Sequence, residues 1–368
     1  MDKISAINFS EEEWQEWLIE KGEKPFFARE IMRWIFSKNI FDPEKFPNIS
    51  RNLLECLRND FSWSLLDTDS VISSIDGSEK MLLLTHDGLF VESVLMPFEN
   101  RVTLCVSSQV GCRQGCSFCQ TGKLGLTRNL TSGEILSQLL LANKRLEVKG
   151  STCKVTNVVF MGMGEPLDNY DEVVRACRIM IDPAFFCLAR RRVTVSTAGI
   201  VPKIRELGKD LPVNLAISLH SADDEQRSRM MPLNKSFPLI ELKEALMEYP
   251  IPSRQYINIE YVMIRGVNDS KEHATKLVNF LEGIKSAVNL IPLNKHPGSL
   301  MEASEEESLK GFKQVLQDSG IHALVRYSRG QDISGACGQL AAKRKHEIDM
   351  KPRLVKKSRR LEEKSLIH

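Results

Sequence analysis

The chain has 368 residues, 42% of them hydrophobic and 27% charged, the composition of an ordinary globular protein rather than a disordered or fibrous one, and long enough to bury a core without disulfide staples. Its net charge of +2 is nearly neutral, so nucleic-acid binding depends on where the cations sit and not on their sum. The N-terminus is acidic and no apolar run approaches the roughly 18 residues of a membrane span, so the chain reads as cytoplasmic with no membrane partner, and its nine cysteines point to metal or catalysis before disulfides.

Apolar spacing at Trp14, Trp17 and Leu18, then at Ile31, Met32, Trp34, Ile35 and Phe36, predicts a small helical unit over residues 1–60, punctuated by Gly22 and Pro25. Residues 61–97 turn strand-like around Asp87-Gly88 and predict a linking β-hairpin. Over 98–340, strand-like runs alternate with helical ones, the pattern of βα units on a parallel sheet. Strands are expected to begin at Thr103, Thr156, Arg192, Val213, Ile257 and Val288, with a last one near Ala323. Helices are expected near 131–149, 169–181, 202–208, 237–248 and 270–284, and after Ser304. Six such units fit an α/β barrel, whole or incomplete, with the active face where strands run into loops. The tail, 341–368, is basic: nine Lys and Arg against two acidic residues over 343–360. Such a run serves equally as a phosphate grip or as a solvated terminus.

Cys112, Cys116 and Cys119 form a C-x3-C-x2-C run directly after the first expected barrel strand, with Gly111 and Gly115 permitting tight turns. Three thiolates so spaced can converge on a four-iron cluster and leave one iron open. Structural zinc normally takes four ligands, in paired C-x2-C or with histidine, and no histidine lies close by in sequence. Spacing, loop position and βα context therefore favour iron–sulfur.

This run resembles the cluster motif of the radical S-adenosylmethionine (SAM) superfamily. Further segments narrow the match: Gly162-Met163-Gly164-Glu165-Pro166-Leu167, Ser196-Thr197-Ala198-Gly199, Ser218-Leu219-His220-Ser221 and Asp332-Ile333-Ser334-Gly335-Ala336-Cys337-Gly338-Gln339-Leu340. Together with 22–26 and 32–34 near the N-terminus, they resemble the family of dual-specificity RNA adenine-C2 methyltransferases, the RlmN type, over nearly the whole chain to about residue 340. The resemblance implies a partial (β/α)6 barrel as radical SAM core, with a helix-hairpin-helix-like N-terminal domain for RNA. It implies one [4Fe-4S] cluster on Cys112, Cys116 and Cys119, and two SAM molecules per turnover. The SAM contacts it implies are Gly164, Glu165, Ser196, Ser218, Leu219, His220 and Asn294.

The implied substrates are an adenosine in the peptidyl-transferase region of 23S rRNA and the adenosine 3′ of the anticodon in tRNA. The implied electron donor is of the flavodoxin kind, and a monomer is expected. In the implied chemistry Cys337 becomes S-methylcysteine, Glu92 accepts the C2 proton, and Cys105 forms a transient disulfide with Cys337. Taken alone, Cys105 or Cys337 would be a small buried hydrophobe, Glu92 a solvent-facing strand residue and His220 a structural histidine as readily as a ligand contact. Three other functional readings remain: a sister enzyme that methylates C8 of the same rRNA adenosine, an RNA-binding protein with a purely structural metal, and another radical SAM oxidoreductase with no RNA substrate.

Overall fold

The computed structural model describes residues 3–211, 213–294 and 300–333. Ser10 opens α1 (Glu11–Glu20) because Ser-x-x-Glu supplies both halves of a capping box. The Glu13 N–H donates to Ser10 Oγ at 3.1 Å and the Ser10 N–H to Glu13 Oε2 at 2.7 Å. Two more helices, α2 (Phe27–Phe36) and α3 (Arg51–Asp60), complete the N-terminal unit. Its centre is Trp14, fully buried, with the rings of Phe9, Trp17, Phe61 and Trp63 at 4.5–6.2 Å. Asn8 and Glu13 fasten this unit to the rest. Asn8 Oδ1 accepts from the Gly133 N–H at 2.9 Å, and Arg175 donates to Asn8 O and Glu13 Oε2, both at 3.1 Å.

Among the described residues ten strands form one sheet whose spatial order follows the chain: β1 (Asp67–Ser73), β2 (Glu79–Leu84), β3 (Phe90–Phe98), β4 (Arg101–Cys105), β5 (Asn157–Phe160), β6 (Val193–Thr197), β7 (Asn214–Ser218), β8 (Ile257–Met263), β9 (Ser286–Pro292) and β10 (His322–Val325). From β4 to β10 all pairings are parallel, the ladder of a partial barrel, while β1 to β4 pair antiparallel. The crossovers are α4 (Ser132–Val148), α5 (Tyr170–Ile181), α6 (Val201–Asp210), α7 (Asp224–Met230) with α8 (Leu239–Glu248), α9 (Lys271–Leu281) and α10 (Glu306–Asp318). The expected hairpin around Asp87 is present as β2 and β3, but it gains a third strand, β1, and is stitched through β3 to β4. It is the edge of the main sheet rather than a free-standing connection. β1, Asp-Thr-Asp-Ser-Val-Ile-Ser, lacks the apolar alternation of a strand because it lies at the sheet's edge with most of its side chains in solvent.

Among the described residues no ladder joins β1 to β10, so the barrel has a seam. Side chains span it. Arg329 donates to Asp76 O at 2.6 Å and Pro97 O at 2.7 Å, the Gly330 N–H to Asp76 Oδ2 at 2.9 Å, and Ser74 Oγ to Asp332 Oδ1 at 2.5 Å.

Strand side chains alternate between faces, and the register sorts them. Leu104, Val158, Val195, Leu215, Ile217, Ile259, Val288 and Ala323 are buried apolar residues in register with one another, facing the helices. The opposite, inner face carries Cys105, Thr194, Ser196, Ser218, Glu260 and Asn289. A polar lining enclosed by an apolar shell is the form of a ligand chamber rather than a packed centre.

Candidate active site

β4 feeds the cysteine loop. Residues Gln109–Cys112 pair antiparallel with Gly125–Asn129, so the loop between them is pinned at its base. Gly111 is obligatory there: its φ is +80° and a Cβ would lie 1.9 Å from Gly125 O. Cys112 is buried, and Cys116 and Cys119 are half-buried. The Cys119 N–H donates to Cys116 O at 3.1 Å, and the Ser117 N–H to Met230 O at 2.9 Å. Cys116 and Phe118 pack against the cluster of Ala198, Met230, Met231, Ile264 and Leu293, which forms an apolar wall on one side of the loop.

Burial pushes the Cys112 and Cys116 thiols up to about 12, and the Cys119 sulfur pushes both further in the same direction. Among the described residues no three His, Cys, Asp or Glu side chains form a group that could hold one metal ion; a four-iron cluster places each thiolate on a different iron. The donor set fits such a cluster. Soft thiols crowded in a buried site need a bound cationic centre before they can ionise, and iron–sulfur supplies it.

The implied SAM contacts lie on the loops at the same, C-terminal ends of the strands. Gly164 follows β5 with φ +102°, where a Cβ would meet Gln109 at 2.6 Å. Glu165 is buried, with Oε1 accepting from the Leu167 N–H at 3.0 Å and Oε2 from the Ala198 N–H at 2.7 Å. Burial pushes its carboxyl up to about 7 against the pull of those amides. Its carboxylate therefore ties the loop after β5 to the loop after β6. Ser196 lies on the inner face of β6 and Ser218 ends β7. The Leu219 N–H donates to Glu260 O at 3.1 Å.

His220 is buried with φ +59°. Its Nδ1 accepts from the Val262 N–H at 3.0 Å, and Phe118 meets its ring edge-on at 4.8 Å. Burial, with the Arg227 charge adding, holds the imidazole down at about 3, so it is neutral. Asn294 Nδ2 donates to Ser328 Oγ at 2.6 Å. Glu260 lines the same chamber, a placement its sequence did not announce. It sits in register beside Ser218, with Oε1 accepting from Asn289 at 2.8 Å and its buried Oε2 left without a partner among the described residues. That orphaned oxygen, beside hydroxyl and amide groups, fits a chamber built for a polar ligand such as SAM.

Glu92 is not the solvent-facing residue its type alone would predict. It is 3% exposed, with Oε1 4.0 Å from the Nζ of Lys80, itself 1% exposed. Val94 pairs with Cys105, so Glu92, two residues along the same face, is the diagonal neighbour of the Cys105 thiol. Cys105 is buried. Lys80 was also missed. Its only sequence signal is a cation at the head of the apolar run 81–84. Cys337 lies outside the described residues, as does the basic tail.

No described helix is long and apolar enough to cross a membrane. Residues 106–278 match the model of the Radical SAM superfamily, and residues 4–62 that of the ribosomal RNA large subunit methyltransferase N-terminal domain. The dual-specificity RNA methyltransferase RlmN of Geotalea uraniireducens is 46% identical over 340 residues, 92% of this chain and 97% of that protein. That of Syntrophobacter fumaroxidans is 42% identical over 342 residues, 93% and 99% of the two chains. A radical SAM methyltransferase from Sphaerobacter thermophilus superposes with a TM-score of 0.85 at 40% identity, covering 91% of this chain and 98% of that one. Superfamily membership brings a [4Fe-4S] cluster and SAM as cofactors. A cysteine loop at the mouth of a polar-lined partial barrel, a helical unit fastened beside it, and relatives matched almost end to end place the chain in the RlmN family of radical SAM methyltransferases.

Proposed function

We propose that the chain methylates C2 of an adenosine in the peptidyl-transferase region of 23S rRNA and of the adenosine 3′ of the anticodon in tRNA. The observation that carries this reading is the placement of Cys112, Cys116 and Cys119 at the same barrel end as Gly164, Ser196 and Ser218. The N-terminal ribosomal RNA methyltransferase domain and the name shared by the relatives support RNA as substrate. Adenine C2 is electron-poor and carries no nucleophilic lone pair, so it cannot attack a sulfonium methyl directly. The bound cluster supplies the alternative, one-electron reductive cleavage of SAM, with the electron coming from a donor of the flavodoxin kind.

The chain's own residues supply the rest. The apolar wall of Ala198, Met230 and Met231 shields one side of the cysteine loop from water. Cys337 carries the methyl group as a thioether. Glu92, buried beside Lys80, holds the C2 proton at its carboxylate. Cys105, on the same face, attacks the Cys337 sulfur: the S–S bond forms as the bond from that sulfur to the carbon now joined to C2 breaks, and this carbon keeps the electron pair and takes a proton to become the methyl group of the released product. A flipped-out base can reach such a chamber, which suits loops and exposed RNA ends over regular duplex.

The test is anaerobic reconstitution followed by reaction with each RNA and mass spectrometry of the nucleosides. The expected product is 2-methyladenosine in both RNAs. Methylation at C8 alone would replace this reading with that of the sister enzyme, and a colourless zinc protein would end it.

A further inference from the structure

Arg227, on α7, is 1% exposed, one of the largest side chains wholly inside the protein. Its guanidinium donates to Leu219 O at 3.0 Å, Asn234 Oδ1 at 2.7 Å, Ala198 O at 2.6 Å and Ser218 O at 3.3 Å. Every one of these acceptors is neutral. Among the described residues it makes no ion pair within 4 Å; Asp224, exposed and three residues earlier, attracts it only at longer range. Burial lowers the guanidinium to about 10, which still leaves it protonated at neutral pH. A full positive charge is therefore fixed in a medium of low dielectric, where its field is weakly screened.

That charge sits under the cysteine loop. Cys116 packs against the apolar cluster that contains Ala198, whose carbonyl Arg227 holds, and Met230, the last residue of α7. The Ser117 N–H donates to the Met230 carbonyl at 2.9 Å. A cluster on three thiolates is anionic, and one electron from an external low-potential donor makes it more so, with no bond formed or broken. A fixed cation beside it favours the reduced form.

We propose that Arg227 is a positioning residue of electrostatic kind, a buried cation that raises the reduction potential of the cluster held by Cys112, Cys116 and Cys119. The inference rests on the cluster reading above. A guanidinium that merely braced the loops after β6 and β7 would affect cluster loading or SAM affinity and leave the potential of loaded clusters where it was.

The experiment is a potentiometric titration, monitored by electron paramagnetic resonance, of the reconstituted full-length chain and its R227Q and R227K variants, which reads only molecules that carry a cluster. R227Q is expected to favour the oxidised form by about tenfold, a midpoint lower by ~59 mV for one electron. R227K, which keeps the charge, is expected to restore most of that shift. An unchanged midpoint in R227Q, or an equal fall in R227K, overturns the proposal. Should R227Q take up no cluster, R227M, a second neutral side chain of similar length that needs no hydrogen-bond partners, is titrated in its place: the same lower midpoint is expected, and an unchanged one overturns the proposal. A wild-type chain that binds no iron–sulfur cluster would instead defeat the cluster reading itself.

Discussion

Two opposite charges withdrawn from water depend on each other, and among the ion pairs of the described residues Lys80 with Glu92 is the most deeply buried, at 1% and 3% exposure. Lys80→Met would remove the buried countercharge beside the Glu92 carboxylate, at a cost on the order of 3–5 kcal/mol. A lower urea midpoint is the expected result, with much of it recovered when Glu92→Leu is added. His220 makes a second prediction at this scale. Its folded value of about 3 lies below the ordinary 6.5, so between those limits the unfolded chain binds a proton that the folded chain refuses. Stability is therefore lost as pH falls from about 6.5 toward 3. His220→Gln, whose side-chain oxygen can still accept the Val262 N–H, is expected to flatten that slope in denaturant titrations at stepped pH. The cysteine trio was legible because ligand spacing is local. The burial of Glu92 was not, since it depends on a partner strand and on a lysine that reads as an ordinary surface charge.

At the scale of elements, the hairpin of Gln109–Cys112 with Gly125–Asn129 is the scaffold of the cysteine loop. Gly111→Ala would force a Cβ to 1.9 Å from a backbone oxygen at φ +80°. The base of the loop must then shift. The expected outcome is a protein with normal far-UV circular dichroism but at most a few tenths of the wild-type iron content, read by iron assay and visible absorbance. The parallel strands and their helices could be read directly because each pairs a short apolar run with a longer amphipathic one. Expected starts at Arg192 and Val213 fall one residue before Val193 and Asn214, and Val288 two residues after Ser286. β1 escaped notice because its pairing is supplied by β2, and nothing in its own side chains demands it.

Across the whole molecule, the main apolar core and the ten-stranded sheet include none of the three cysteines. Removing iron is thus expected to leave the global unfolding transition within about 1 kcal/mol, while amide exchange quickens over 109–129. An equal loss across the sheet would contradict this. The helical unit touches the barrel through Asn8, Glu13 and Arg29 as well as the rings of Phe36 and Phe185, contacts between segments more than a hundred residues apart whose partnership no local pattern could announce.

The seam carries a consequence of its own. A ring of strands closed by a backbone ladder has a fixed girth, because changing it breaks many bonds together. Here one side is laced by Arg329, Gly330 and Asp332 onto residues 74–76. Such lacing can loosen one stitch at a time, so amide exchange at residues 74–76 and 329–332 is expected to run ahead of exchange in the parallel ladders.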